Sequence, residues 1–498
     1  MNPGPAPDRI PATTKPVATD ALPMPAPAQV DQAIRLSYAQ VMLNAIFGAS
    51  TGGMFLIGYA LALGGNNILL GLMSTVPAFF VVFQFLAAYF VERGVSRKKL
   101  TVVFAFLPPL CWFLIATIPL LGNALGVSAR FTVLIGVIAL VSLAGQFVGN
   151  ARSSWIGELI PATRRGKFFG YCTMFAGLVG AFFAVGEGRF LDVIQSRGLF
   201  AFTALFFFGA FFGLISALLN IPQADCPLPA GGRQAGYLDL IRETFRNRPL
   251  VLLALVHATI ALGAVAGPFT AAYCLRDVHL PYFGLGVLNA IATVAMLATS
   301  PFWGKLVDRF GCRPVLILGI LLSAPCGLVW LFIPPGATHR AYLLLPWTNS
   351  IAGIGGAAIN VAIATMTYKL SKPAGRSVQF ALYSVFVTLV AAPMPLLGGW
   401  LVDTLTAGGY KVDLRLTFYL WVVFMFAAGI LAKFLQEPDS LRTRALVFGY
   451  FPERAARFWG NVMAFSPWIS SLIRFQLPAG RPADGETETP PKEEDPKT

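Results

Sequence analysis

The chain has 498 residues, of which 56% are hydrophobic and 12% charged, with a mean hydropathy of +0.68. Soluble domains carry roughly a quarter charged residues, so a soluble enzyme or binding module is excluded. The net charge of +14 would suit a nucleic-acid partner, but the cations lie in short loops between apolar runs, and no nucleic-acid partner is expected.

Residues 1–33, rich in Pro and Ala, read as a disordered N-terminus. No apolar stretch follows a basic start, so no cleaved signal peptide is expected. Apolar runs long enough to cross ~30 Å of hydrocarbon then begin near Ser37, Asn67, Leu100, Phe131, Phe168 and Leu199. They form a first six-helix bundle over residues 34–221. Residues 222–249 are a linker, in which Leu238, Ile241 and Phe245 share one face opposite Asp239, Arg242, Glu243 and Arg246; this spacing predicts a short interfacial helix. A second set of runs begins near Leu250, Tyr282, Pro314, Tyr342, Val378 and Leu416, filling residues 250–437. The predicted fold is an all-α integral membrane protein with twelve transmembrane helices in two pseudo-symmetric six-helix bundles. Residues 438–498 mix arginines with Phe448, Trp459 and Trp468 and read as amphipathic segments on an anionic leaflet, followed by a disordered end; membrane lipids are expected partners. Six scattered cysteines without a C-x-x-C pair give neither a disulfide framework nor a zinc site.

The loops after even-numbered helices are basic: Arg93, Arg97, Lys98 and Lys99; Arg164, Arg165 and Lys167; Arg242, Arg246 and Arg248; Lys305, Arg309 and Arg313; Lys369, Lys372 and Arg376. By the positive-inside rule both termini are cytoplasmic. A plasma membrane, the inner membrane in a bacterium, is the expected location.

The two bundles repeat each other. Glu92-Arg93 recurs as Asp308-Arg309, 216 positions later (308 − 92), and Arg165 and Asp192 recur as Arg376 and Asp403, each shifted by 211 (403 − 192). A duplicated membrane module reads as a transporter with its pathway between the copies. Carboxylates at the cytoplasmic helix ends can pair with arginines or with helix-start amides. Pairs between halves would hold the cytoplasmic side shut and bias two conformations. The expected gate is Glu92, Arg93, Arg97, Glu158, Arg165, Gly304, Asp308, Arg309, Arg313 and Arg376. The other reading of these cations is an orientation signal alone.

Gly304-Lys-Leu-Val-Asp-Arg-Phe-Gly-Cys-Arg313 resembles the G-x-x-x-D-R-x-G-R-[RK] loop of the major facilitator superfamily, and the first-half copy is degenerate, with Ala88, Glu92 and Val95 at key positions. Gly157-Glu158-Leu-Ile-Pro161-Ala-Thr-Arg-Arg165-Gly166 resembles the G-E-x-x-P-x-x-x-R-G segment of that superfamily's sugar porters, which implies loop-network roles for Glu158 and Arg165. Lys369 stands where the second half would match Glu158, so that half must be wired differently. The seventh helix has no Q-x-x-G-x-N-type sugar signature. The fifth helix, Gly177-Leu-Val-Gly180, lacks the proline of the G-P-x-x-G-G kink found in antiporters of the family; Pro395-Leu-Leu-Gly398-Gly399 resembles the end of that kink on the eleventh helix. Drug–proton antiport is therefore not assigned.

The resemblance further implies that the first, fourth, seventh and tenth helices line a cavity. The candidate solute contacts are Asn44, Gln146, Asn150, His257, Thr259, Asn349 and Asn360, with Gln84 and Asn289 on neighbouring helices. A neutral His257 could bind solute or relay a proton; helix–helix hydrogen bonding is the alternative for all of these. Glu187 and Arg189 fall near the outer edge, and no carboxylate is placed at mid-membrane. The expected function is a secondary or facilitative transporter moving a small solute by alternating access. An uncharged or amphipathic solute is preferred, with a coupling proton or ion as an option, no cofactor, and a monomeric assembly. The alternatives are a transporter-like sensor signalling through its tail, and a membrane-embedded lipid-modifying enzyme, for which no Walker loop, G-x-S-x-G or catalytic cluster is present.

Overall fold

The computed structural model describes residues 26–93, 95–118, 126–225, 242, 244–371, 376–410 and 412–437. Among them are twelve helices long and apolar enough to cross a membrane. In chain order these are α1 (Pro27–Ala62), α2 (Asn67–Val91), α3 (Arg97–Thr117), α4 (Ala129–Leu159), α5 (Thr163–Ile194) and α6 (Leu199–Leu218) in the first half. The second half has α7 (Arg248–Arg276), α8 (Tyr282–Phe310), α9 (Cys312–Phe332), α10 (Thr338–Leu370), α11 (Gln379–Ala407) and α12 (Arg415–Ala432). No strand occurs among the described residues.

Local chemistry sets the helix starts. Asn66 accepts the Leu69 N–H at 2.9 Å to begin α2, Ser96 accepts the Lys99 N–H to begin α3, and Asn247 with a proline in the first turn begins α7; each side chain satisfies a donor that has no partner within its helix. The first helix begins seven residues before the boundary expected from hydropathy (34 − 27), so the segment read as disordered is helical from Pro27 onward. Proline in the first turn and a bond from the Ala26 N–H to the Gln29 side chain at 3.2 Å start it. Polar residues in a helix that extends beyond the hydrocarbon are invisible to a hydropathy window. The linker helix expected over 237–248 falls largely on residues outside those described, as do residues 1–25 and the tail 438–498.

Both halves interrupt their first helix at the same place. In α1 the break is at Gly52–Gly53, and in α7 a 3-10 turn over Leu262–Ala266 precedes Gly267, 215 positions after Gly52 (267 − 52). Large side chains such as Phe182, Trp347 and Val103 are mostly exposed, as a lipid-facing surface requires. One apolar core joins the halves. It includes Phe55 and Phe202 of the first half and Tyr282 and Leu285 of the second, with the Phe55 and Tyr282 rings stacked at 6.2 Å. This core lies at the end where α1 finishes and α8 begins, opposite the basic loops.

Candidate functional site: the seam between the halves

Helix α5 crosses α8, and α2 crosses α11; these two crossings join the halves. At the end away from the basic loops, Asp192 at the end of α5 accepts the backbone N–H groups of Tyr282 (2.9 Å) and Phe283 (2.8 Å), where α8 starts. Its repeat partner Asp403 accepts the Ile68 N–H at 3.2 Å and the Asn67 side-chain amide at 2.6 Å, where α2 starts. Arg276 in turn donates to the Asn67 side-chain oxygen at 3.1 Å. A carboxylate facing the unpaired amides and positive dipole of a helix start is favourable on both counts.

The packing follows the same symmetry. A Cβ on Gly188 would lie 2.6 Å from the Tyr282 carbonyl oxygen, and one on Gly399, 211 positions later, would collide with the Asn67 carbonyl oxygen. One turn inward, a Cβ on Gly286 would lie 2.7 Å from the Ala184 oxygen, and one on Gly71 would collide with the Pro395 oxygen. Gly71 and Gly286 are 215 apart, and Ala184 and Pro395 are 211 apart. Only residues without a side chain allow backbones this close. The duplication therefore builds the same two-glycine, one-aspartate lock at both crossings.

Toward the basic end the seam parts. A Cβ on Gly177 of α5 would still touch Leu297 of α8 at 2.8 Å, but a Cβ on Gly166, Gly170 or Gly304 would meet no other described residue within 4 Å. Lys167, Asp308 and Arg309 are exposed there, and Asp308 has no ion-pair partner among the described residues. The seam is thus closed at one end and open at the other.

The ion pairs described at the open rim join helices of the same half. Arg97, 2% exposed, donates to Glu158 at 2.6 Å and to the Ser154 carbonyl at 3.4 Å. Ser96 donates to Asp225 at 2.9 Å, and Arg164 pairs with Asp31 at 2.9 Å. In the second half Glu437 accepts the N–H groups of Cys312 (2.9 Å) and Arg313 (2.8 Å), together with the Lys369 ammonium (3.3 Å). The Arg313 guanidinium donates to the Lys433 carbonyl. Burial alone would push the Glu437 carboxyl up, but these N–H groups and Lys369 outweigh it and hold the carboxyl below its ordinary range. Arg93 lies over the Tyr89 ring at 5.0 Å, and Arg165 donates to the Ile160 carbonyl at 3.2 Å. Glu92 closes the second span and Arg376 begins the helix leading into α11; their side chains lie outside the described residues.

The polar candidates inside the spans are mostly tied within a half. Gln84 donates to Gln146 at 2.8 Å, and His257 Nδ1 lies 2.8 Å from the Tyr383 hydroxyl. Asn349 donates to the Leu345 carbonyl one turn back, and the Asn150 carbonyl accepts the Ser153 hydroxyl. Thr259 bonds the Leu255 carbonyl. Asn289 and Asn360 are exposed, and their side-chain amides lie 3.9 and 4.0 Å from methionine sulfurs. Asn289 reaches Met54 across the seam. Asn44 lines a separate cavity inside the first half. Glu187, expected at the outer rim, is 6% exposed, with one carboxyl oxygen 2.5 Å from the Ser50 hydroxyl and the other without a partner among the described residues.

The seam glycines and the half-buried Arg152 were not among the sequence candidates. The 211 and 215 spacings of the glycines were readable; that they meet backbone carbonyls was not.

Comparison with known proteins agrees with this architecture. A family model described as the Major Facilitator Superfamily matches residues 253–476. The multidrug resistance protein MdtG of Yersinia enterocolitica is 26% identical over 60% of this chain and 76% of its own length, and MdtG of Salmonella typhimurium is 27% identical over 56% and 72%. A mutant of the nucleoside transporter NupG superposes with a TM-score of 0.63 at 13% identity, covering 81% of this chain and all of NupG. The family model and these relatives make the chain similar to transporters of the major facilitator superfamily. A bacterial homologue of the human lysosomal transporter Spinster, solved inward-facing and unoccupied, gives 0.62 at 16% identity over 82% of this chain and 97% of its own. The two-bundle fold is shared with these transporters, and the relatives support a membrane transporter.

Proposed function

We propose that the protein moves a small uncharged or amphipathic solute by alternating access, and that the structure represents the state open to the cytoplasm. The observation that carries this reading is the two-ended seam, latched by Asp192 and Asp403 at one end and parted at the basic end. The positive-inside rule places the basic end in the cytoplasm. A monomer in the inner membrane, with both termini cytoplasmic, suits this reading. At the parted end the described ion pairs join helices within one half, which favours a solute without strong charge. If transport is proton-coupled, Glu187 is the carboxylate to test, because it is buried against Ser50 with no ion-pair partner among the described residues.

Counterflow in proteoliposomes, run across a solute panel with and without a proton gradient, tests the proposal. Transport above that of empty vesicles is expected for at least one solute, and Glu187→Gln should remove any gradient dependence while sparing exchange. Counterflow at background for a solute that still binds would sink the transport reading and favour a sensor.

A further inference from the structure

We propose that the first half contains an anion site at Arg152, separate from the seam, that takes a phosphate or carboxylate group. Arg152 lies on α4, about 9 Å inside the Glu158 end at 1.5 Å per residue, in a membrane-spanning segment. Its guanidinium carries five N–H donors. Among the described residues it has one hydrogen-bond partner, the Asn220 side-chain oxygen at 2.8 Å, and no carboxylate within 4.0 Å.

The surroundings are organised around this cation. The Asn220 amide nitrogen is spent on the Ser216 and Ala217 carbonyls at 3.2 and 3.1 Å, which turns its oxygen to Arg152. Ser216 is itself held by Gln40, accepting from its amide at 3.0 Å and donating to its carbonyl at 3.2 Å. All of these residues, with Asn44, line a cavity of 440 Å³ between α1, α3, α4 and α6, kept open by glycines on α4 and α6. That volume is within the range of small-ligand sites. Asn44 is exposed in it, with no hydrogen-bond partner among the described residues.

The second half is an internal control. At the 211 shift that relates Glu158 to Lys369, Arg152 corresponds to Ile363, a core residue 6% exposed. A cavity between the corresponding helices α7, α9, α10 and α12 lies nearer the opposite end, beside Gly267 and Asn349, measures 250 Å³ and is lined by no charged residue. The fold therefore does not require a cation here. An arginine in a membrane span without a counter-charge is costly, and such residues ordinarily pair or mark a ligand path. An oxyanion entering the cavity would supply the missing charge and accept from Arg152 and Asn44 together.

The anion could come from an acidic lipid headgroup or from free solution, and two measurements separate these sources. Thermal stability of the full-length protein in neutral detergent is titrated with inorganic phosphate. Retention of phosphatidylglycerol against phosphatidylcholine is read by native mass spectrometry after delipidation. At least one probe should bind. Arg152→Ile, which installs the residue of the second half, should weaken that probe by about tenfold or more, and Arg152→Lys should retain part of the binding. Asn44→Ala, which removes no hydrogen bond, should fold normally and bind several-fold more weakly. Phosphate alone identifies a free anion; phosphatidylglycerol alone identifies a headgroup. The proposal is overturned if neither probe binds the wild-type protein, or if the bound probe is held equally by Arg152→Ile and Asn44→Ala.

Discussion

Removing the carboxylates of the closed seam should open it. Asp192→Ala deletes two hydrogen bonds, 2.9 and 2.8 Å long, from a carboxylate to the first amides of α8. With the seam open, water takes over both donors, so only the excess of the protein bonds over water is lost. Two bonds at about 1 kcal/mol net each give about 2 kcal/mol, with a small further loss from the helix dipole. That loss moves the equilibrium between the two states about thirtyfold toward opening. Asp403→Ala removes the equivalent pair at α2, and because the crossings share no partner the effects should add to about a thousandfold. The assay is the modification rate of a single cysteine at the exposed Asn289, using an impermeant thiol reagent added on the side opposite the basic loops. The rate should rise in each single variant and most in the double variant. An unchanged rate in all three would refute the assignment of these aspartates as latches.

The same cysteine reports three further changes. Gly188→Ala and Gly399→Ala place a methyl against backbone on the other half and should also raise far-side labelling, by wedging rather than by loss of a bond. Asp308→Asn should lower it, because Asp308 has no ion-pair partner among the described residues and would gain one when the basic end closes; an increase would contradict its role in that closure. Glu437 supplies a different test. Its carboxyl is held below the ordinary range in the fold, so it stabilises fully above the unfolded value and loses that contribution as pH falls through the folded one. Glu437→Gln should therefore lower Tm near neutrality, and the gap to wild type should close below about pH 4.3; a gap independent of pH would dismiss the bonds to Cys312, Arg313 and Lys369 as its cause.

The membrane fold was legible because hydropathy and loop charge act over long windows. The spans expected near Asn67, Leu199 and Tyr282 begin at those residues. What those windows average away was not legible. Polar residues after Pro27 continue a helix that a hydropathy scan takes for a tail. Arg152, close to a basic loop, is indistinguishable by sequence from the arginines that orient the chain. Asp192 and Asp403 stood out by their spacing, but their partners are mainly backbone N–H groups, which every residue except proline possesses and no motif announces. Lys369 in place of Glu158 was visible as a charge reversal; its compensation by Glu437, 68 positions on (437 − 369), needed the fold.

The two rims divide the labour of a rocking mechanism. The described pairs at the basic rim, Arg97 with Glu158 and Lys369 with Glu437, join helices within one half. They need not break when the halves move, and so stiffen each half without opposing the motion. The bonds of Asp192 and Asp403 cross between halves, and these must break for the far end to open. Because they engage helix starts rather than matched cations, each copy could keep its latch while the loops diverged in charge, as Glu158 and Lys369 did. This explains why the duplication is most faithful at the closed seam and least faithful at the basic rim. Conformational preference is then set where the copies agree, at the two crossings, and substitutions confined to the Arg97–Glu158 or Lys369–Glu437 pairs should change Tm while leaving Asn289 labelling near its wild-type rate.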